Sequence, residues 1–174
     1  VDLYAGSGGL LLFLSALAAR RGGDRWRDAA AAVRASISTA APRDLLPGSA
    51  PRDGCGGPAS LVYVLPLAAR LLGDGSESDA ALESVSVLRP AAFDRDIVLD
   101  VEGGVAGTLL ALLAAHECTG LGVFLEMAGG CARRLLATQL ADGPDRGAWP
   151  AGADARPIVT LISFLVGVIL AFVG

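Results

Sequence analysis

The sequence predicts an all-α fold built from repeated helical hairpins, and three observations carry that prediction. Apolar residues make up 53% of the chain and aromatics only 5%. The core is therefore assembled mostly from Ala, Leu and Val, and Ala and Leu are strong helix formers. The apolar runs are longer than strands usually are. Finally, one pattern recurs three times and opens an apolar run each time: Asp, three residues, Gly, two residues, then Gly or Ser.

The first copy is Asp2, Gly6 and Gly9, before an apolar run over 10–14. The second is Asp53, Gly57 and Ser60, before 61–65. The third is Asp100, Gly104 and Gly107, before 108–113. Spacings of 51 and 47 residues are close enough to mark structural repeats. They divide a single domain, 1–174, into repeats of about 1–50, 51–97 and 98–156, with 157–174 starting a fourth.

Within each repeat, two helices are expected. The inner one is apolar nearly all round, as over 10–19 and 109–115, and a helix of that kind is buried on most sides. The outer one is amphipathic. Trp26, Ala30, Val33 and Ile37 step by four, three and four, with Arg25, Asp28 and Arg34 elsewhere on the surface, and Phe124, Ala128, Cys131 and Leu135 repeat the step. Gly22 and Gly23 end the first helix, and Asp24 is the expected N-cap of the next. Pro66 lies inside the second inner helix, where it kinks the helix or marks a late start. Ser76, Glu77, Ser78 and Asp79 open the partner helix. Residues 41–58 and 90–99 are connectors, and the Gly-, Pro- and Asp-rich stretch 142–157 is a loop. Buried helices alternating with amphipathic ones make two layers, and repeating the pair gives a ring or solenoid of hairpins. The glycines at the inner-helix starts allow close backbone approach, or leave N–H groups open to a ligand.

Composition narrows function. The net charge is −4 and the pI about 4.9, with no basic patch, so nucleic acid is not an expected partner. All 14 basic residues are Arg, which together with abundant Ala and Gly is the pattern of a GC-rich bacterial genome. Cys55, Cys118 and Cys131 are odd in number and form no C-x-x-C pair, as expected of reduced thiols in a cytoplasmic protein. Cys55 precedes the second inner helix, where a thiol is partly activated or simply buried as a small apolar group. His116, the single His, closes the third inner helix beside Glu117 and Cys118. One Cys and one His this close in sequence do not make a tetrahedral site, and a His serving the last carbonyls of a helix is the simpler reading. The Gly-Ser-Gly-Gly at 6–9 lacks the Lys of a phosphate loop. Residues 157–174 contain no charge. They read as a buried inner helix, since earlier inner helices are equally apolar, or as a short membrane span. The chain enters a motif directly at Val1, as expected of a fragment.

The segments Asp2-Leu-Tyr-Ala-Gly-Ser-Gly-Gly-Leu10, Gly56-Gly-Pro-Ala-Ser-Leu-Val-Tyr-Val64 with Leu71-Leu-Gly-Asp74, and Asp100-Val-Glu-Gly-Gly-Val-Ala-Gly107 resemble repeat openings of the lanthionine synthetase C-like family. Their order is most similar to the N-terminal part of the C-terminal cyclase domain of a class II lanthipeptide synthetase. The resemblance implies a partial α/α toroid, roughly three and a half of about seven hairpins. It implies that Cys thiols of a lanthipeptide precursor peptide add to dehydroalanine or dehydrobutyrine to form thioether rings. A zinc ion held by two Cys and one His makes the thiolate, and a proton is then placed on the enolate. Asp100 matches the family's catalytic Asp. By spacing alone it is also a cap or turn carboxylate, like Asp2 and Asp53. The family's zinc ligands lie in later Trp-Cys-x-Gly and Cys-His-Gly segments, and neither occurs in this chain, so no metal ligand is assigned. The family's acid/base His falls in a Ser-His-Gly-x-x-Gly opening, and the matching stretch at 160–167 has Phe164 or Ser163 there. The expectation is a chain without cyclase activity on its own and without a cofactor. The alternatives are a non-catalytic peptide- or protein-binding repeat module and a membrane-associated protein anchored through 157–174.

Overall fold

The computed structural model describes residue 3 and residues 6–44, 59–85, 99–101, 104–144 and 146–149. Among these residues there are six helices and no strand: α1 (Ser7–Arg21), α2 (Asp24–Asp44), α3 (Ala59–Leu72), α4 (Glu77–Val85), α5 (Val105–Thr119) and α6 (Gly122–Thr138). They pair as three consecutive hairpins, α1 with α2, α3 with α4 and α5 with α6, and α3 packs between α1 and α5. The all-α hairpin fold expected from the repeats is the fold observed. Residues 157–174 and Cys55 lie outside the described residues. No helix among the described residues is long and apolar enough to cross a membrane.

Each inner helix ends at a glycine with a positive φ: Gly22 (68°), Gly73 (65°) and Gly120 (72°). Each stands twenty residues after the Asp of its opening motif. In each, the glycine N–H bonds back to the carbonyl four residues earlier, Ala18 (3.0 Å), Ala69 (2.9 Å) and His116 (2.7 Å). A left-handed residue at this point turns the chain into the outer helix, and only Gly takes it without a Cβ penalty.

The inner helices run parallel. Arg70, in the last turn of α3, points a guanidinium N–H at Cys118 Sγ in the last turn of α5, 3.9 Å away. At the other end, Ala59 and Val62 of α3 share a buried cluster with Leu99, Val105 and Ala106. Toward α1, the partners are Leu11 and Leu14 against Leu61, Val64, Leu65 and Ala68 of α3, closed below by Ala30 and Ile37 of α2. Phe124, Ala128, Cys131 and Leu135 are all buried and seat α6 on α5.

Three local expectations change, and a fourth holds with an addition. Inner helix α1 is not buried on most sides: Leu10 is 49% and Phe13 60% exposed. The equivalent residues of α3, Leu61 and Val64, and of α5, Thr108 and Ala111, are buried. That face of α3 meets α1, whereas α1 has no preceding hairpin among the described residues. Asp24 lies inside the first turn of α2; the turn starts at Gly23, whose carbonyl accepts from Trp26 N–H (3.4 Å). The carboxylate thus faces the positive end of the macrodipole from within the helix. Pro66 does not delay α3, which begins at Ala59 and continues past it; Val62's carbonyl loses only its helical donor. The stretch after α6 is a loop with an anchor: Trp149 is 1% exposed and its Nε1–H donates to Leu135 O at 2.6 Å.

The turn between α3 and α4 holds hairpin one to hairpin two. Arg27 donates to Leu72 O (2.8 Å), at the carboxyl end of α3. Arg34 lies 3.8 Å from Asp74. The N–H and Oγ–H of Ser76 both bond to Asp74 Oδ1, at 2.9 and 2.6 Å. Burial works to raise the Asp74 pKa, but the Ser76 bonds and the charges of Arg34 and Arg27 together outweigh it and hold the carboxyl below its ordinary value. A depressed carboxylate stabilises the fold above its unfolded pKa, and the contribution is lost as acid carries the pH through the lower folded value. The Asp74 side chain is 38% exposed, so solvent screening limits the pair to about 1 kcal/mol or less. Asp74→Ala is expected to lower stability by that amount at neutral pH in urea denaturation. The gap from the parent should close once the pH falls well below 3.8.

Two further contrasts follow from packing. Leu11 is fully buried, and Leu11→Ala is expected to cost about 2–5 kcal/mol. Phe13→Ala, two residues away on the exposed face, should stay within about 0.5 kcal/mol of the parent. At Gly9 a Cβ would overlap the carbonyl oxygen of Leu3. Gly9→Ala gains helix propensity of about 1 kcal/mol but forces backbone apart, and a net loss of about 1–3 kcal/mol is expected. Gly130→Ala in α6, where nothing lies within 4 Å of the added carbon, should instead gain about 0.5–1 kcal/mol. Denaturation midpoints of the four variants check all of these signs.

Candidate functional site

Because the inner helices are parallel, their amino ends lie at one end of the array, where the opening glycines of repeats one and three cap α1 and α5. These two caps are superposable in kind. Gly6 caps α1 with φ −115° and ψ −173°, and Gly104 caps α5 with φ −136° and ψ −166°. Neither cap has a side-chain hydrogen bond. In repeat three, Gly107 N–H bonds to the carbonyl of Asp100 (3.2 Å), and Thr108 N–H to that of Gly104 (3.2 Å). The buried Thr108 hydroxyl also donates to Gly104 O, at 3.3 Å. In repeat one, Gly9 sits directly under the Leu3 carbonyl. The glycines at the inner-helix starts therefore serve close approach of the opening turn to its own helix. Ser60, which takes the same place in repeat two, is 1% exposed.

Asp100 is half-buried. Its neighbour Leu99 is 4% exposed and joins the core cluster of α3 and α5. The residue is thus held on both sides, by Leu99 in the core and by the Gly107 amide on its own carbonyl. Its backbone precedes the amino end of α5, the end at which the macrodipole favours negative charge. Asp2 and Asp53 fall outside the described residues.

His116 is at the other end of α5, eleven residues along the helix from Val105, a rise of roughly 17 Å. Its Nδ1 lies 3.1 Å from Leu121 O, and its carbonyl accepts the Gly120 amide. This is a hairpin-closing role at the positions where repeats one and two carry Ala18 and Ala69. Cys118 is half-buried at the same far end, beside Arg70, and Cys131 is fully buried between α6 and α5. Asp100, His116 and the two described thiols are not brought together. Among the described residues, no three His, Cys, Asp or Glu side chains are grouped to hold a metal ion. The described part of the chain does not fit the zinc that the resemblance implies.

Two features escaped the sequence reading. The Gly22, Gly73 and Gly120 register was available as a fixed offset from the three Asp residues. The burial of Trp149 was hidden by its Gly- and Pro-rich surroundings. Around it, Leu140 N–H donates to Ala148 O and Leu140 O accepts from Gly147 N–H, both at 2.9 Å, and Gln139 Nε2 donates to Gly147 O (2.9 Å).

The model of the family described as lanthionine synthetase C-like protein matches residues 1–152. No curated protein matches the chain and no solved structure does. The match spans all three hairpins and their openings, and the chain belongs to the lanthionine synthetase C-like family.

Proposed function

We propose that this chain supplies opening repeats of a lanthionine-forming cyclase domain, in a class II lanthipeptide synthetase, and has no cyclase activity by itself. The observation that carries the proposal is the family match over 1–152, which takes in the Asp100 opening in a backbone conformation shared with repeat one. In this reading the substrate is a precursor peptide bearing Cys and dehydrated Ser or Thr, in the cytoplasm. Ring closure adds a thiol S–H across a C=C bond, so sulfur bonds to the β-carbon and a proton goes to the α-carbon. Asp100 serves that proton balance only beside a thiol and an imidazole, and among the described residues none is grouped with it. The missing ligand segments, and the His absent from 160–167, are the reason for inactivity alone.

The separation of Asp100 from His116 and Cys118 also supports a second reading, a helical-repeat module that binds a peptide or protein without chemistry. Both readings predict a metal-free chain. Elemental analysis of the purified protein, with and without prior chelator treatment, should find zinc well below one per chain. One tightly held zinc per chain would overturn the proposal and make Cys55, Cys118, Cys131 and His116 the ligands to mutate. Cyclisation leaves peptide mass unchanged, so activity is read by thiol alkylation after incubation with a dehydrated, Cys-containing peptide. Full alkylation is expected with the chain alone, and thiols protected faster than in buffer would refute its inactivity.

A further inference from the structure

We draw no further inference here: the strongest candidate, the exposed apolar stripe of Leu10 and Phe13 on the outer side of the first inner helix, matches in repeat position the face by which the second inner helix packs on the first, but nothing in the structure shows what covers it.

Discussion

The fold rests on equal length. From the Asp of each opening to the glycine that ends each inner helix the chain counts the same number of residues three times, although the repeats as wholes differ in length. Helices that begin and end at matching points pack side by side in one register, each buried row meeting its counterpart on the next helix. The two glycine positions enforce this from opposite ends. At the start, the glycine under Leu3 and the Gly107 amide on Asp100 clamp the incoming turn to the helix. At the finish, the left-handed glycine reverses the chain after the same number of turns. Outer helices and connectors absorb the remaining variation: α2 has 21 residues where α4 has nine.

Parallel packing gives the array two unlike ends. The amino ends of the inner helices, with their partial positive charge, carry the capping Gly6 and Gly104 and follow Asp100, whose carbonyl accepts from Gly107 N–H. The carboxyl ends gather arginines. Arg20 and Arg21 stand in the last turn of α1 and Arg70 in that of α3, while Arg27 reaches the terminal carbonyl of α3 itself. Cations belong there for the same electrostatic reason that carboxylates belong at the start. His116 and Cys118 are on the arginine side. Their closeness to each other in sequence, and their distance from Asp100 in space, both follow from one helix length. Chemistry that needs a carboxylate, an imidazole and thiols at one atom cannot be assembled from the two ends of a single helix.

Much of this was legible in the sequence. The repeat spacing, the pairing of apolar with amphipathic helices and the burial of Phe124, Ala128, Cys131 and Leu135 all follow from periodicity, which reports a face directly. The place of His116 in the last turn of its helix was legible as well, but its ring lies against the carbonyl of Leu121, the N-cap of the next helix, and not against the last carbonyls of its own. Other features depend on partners that periodicity does not record. Trp149 is buried because Leu135 leaves a carbonyl in the last turn of α6 for its indole N–H, and nothing in the local Gly- and Pro-rich wording signals that. Asp74 joins two hairpins through Arg34, a contact made across 40 residues of sequence. Asp24 was misplaced by one position because Gly23, with no side chain, starts the turn through its carbonyl alone.

The exposure of α1 carries the most general lesson. Its sequence is that of an inner helix, with an unbroken apolar run over 10–14. Hydropathy, however, records the faces that a repeat position carries, and burial depends on which neighbours occupy them. In α3 both faces are occupied, one by α1 and one by α5, and Leu61, Val64 and Val62 are all buried. Among the described residues only one face of α1 is occupied, so Leu11 is buried and Phe13 is not. The two side chains are indistinguishable to a pattern search, yet only one removes apolar area from water and so contributes stability. In a repeat protein the core is a property of adjacent pairs, and an inner-helix face without a neighbour keeps the composition of the interior without its energetics.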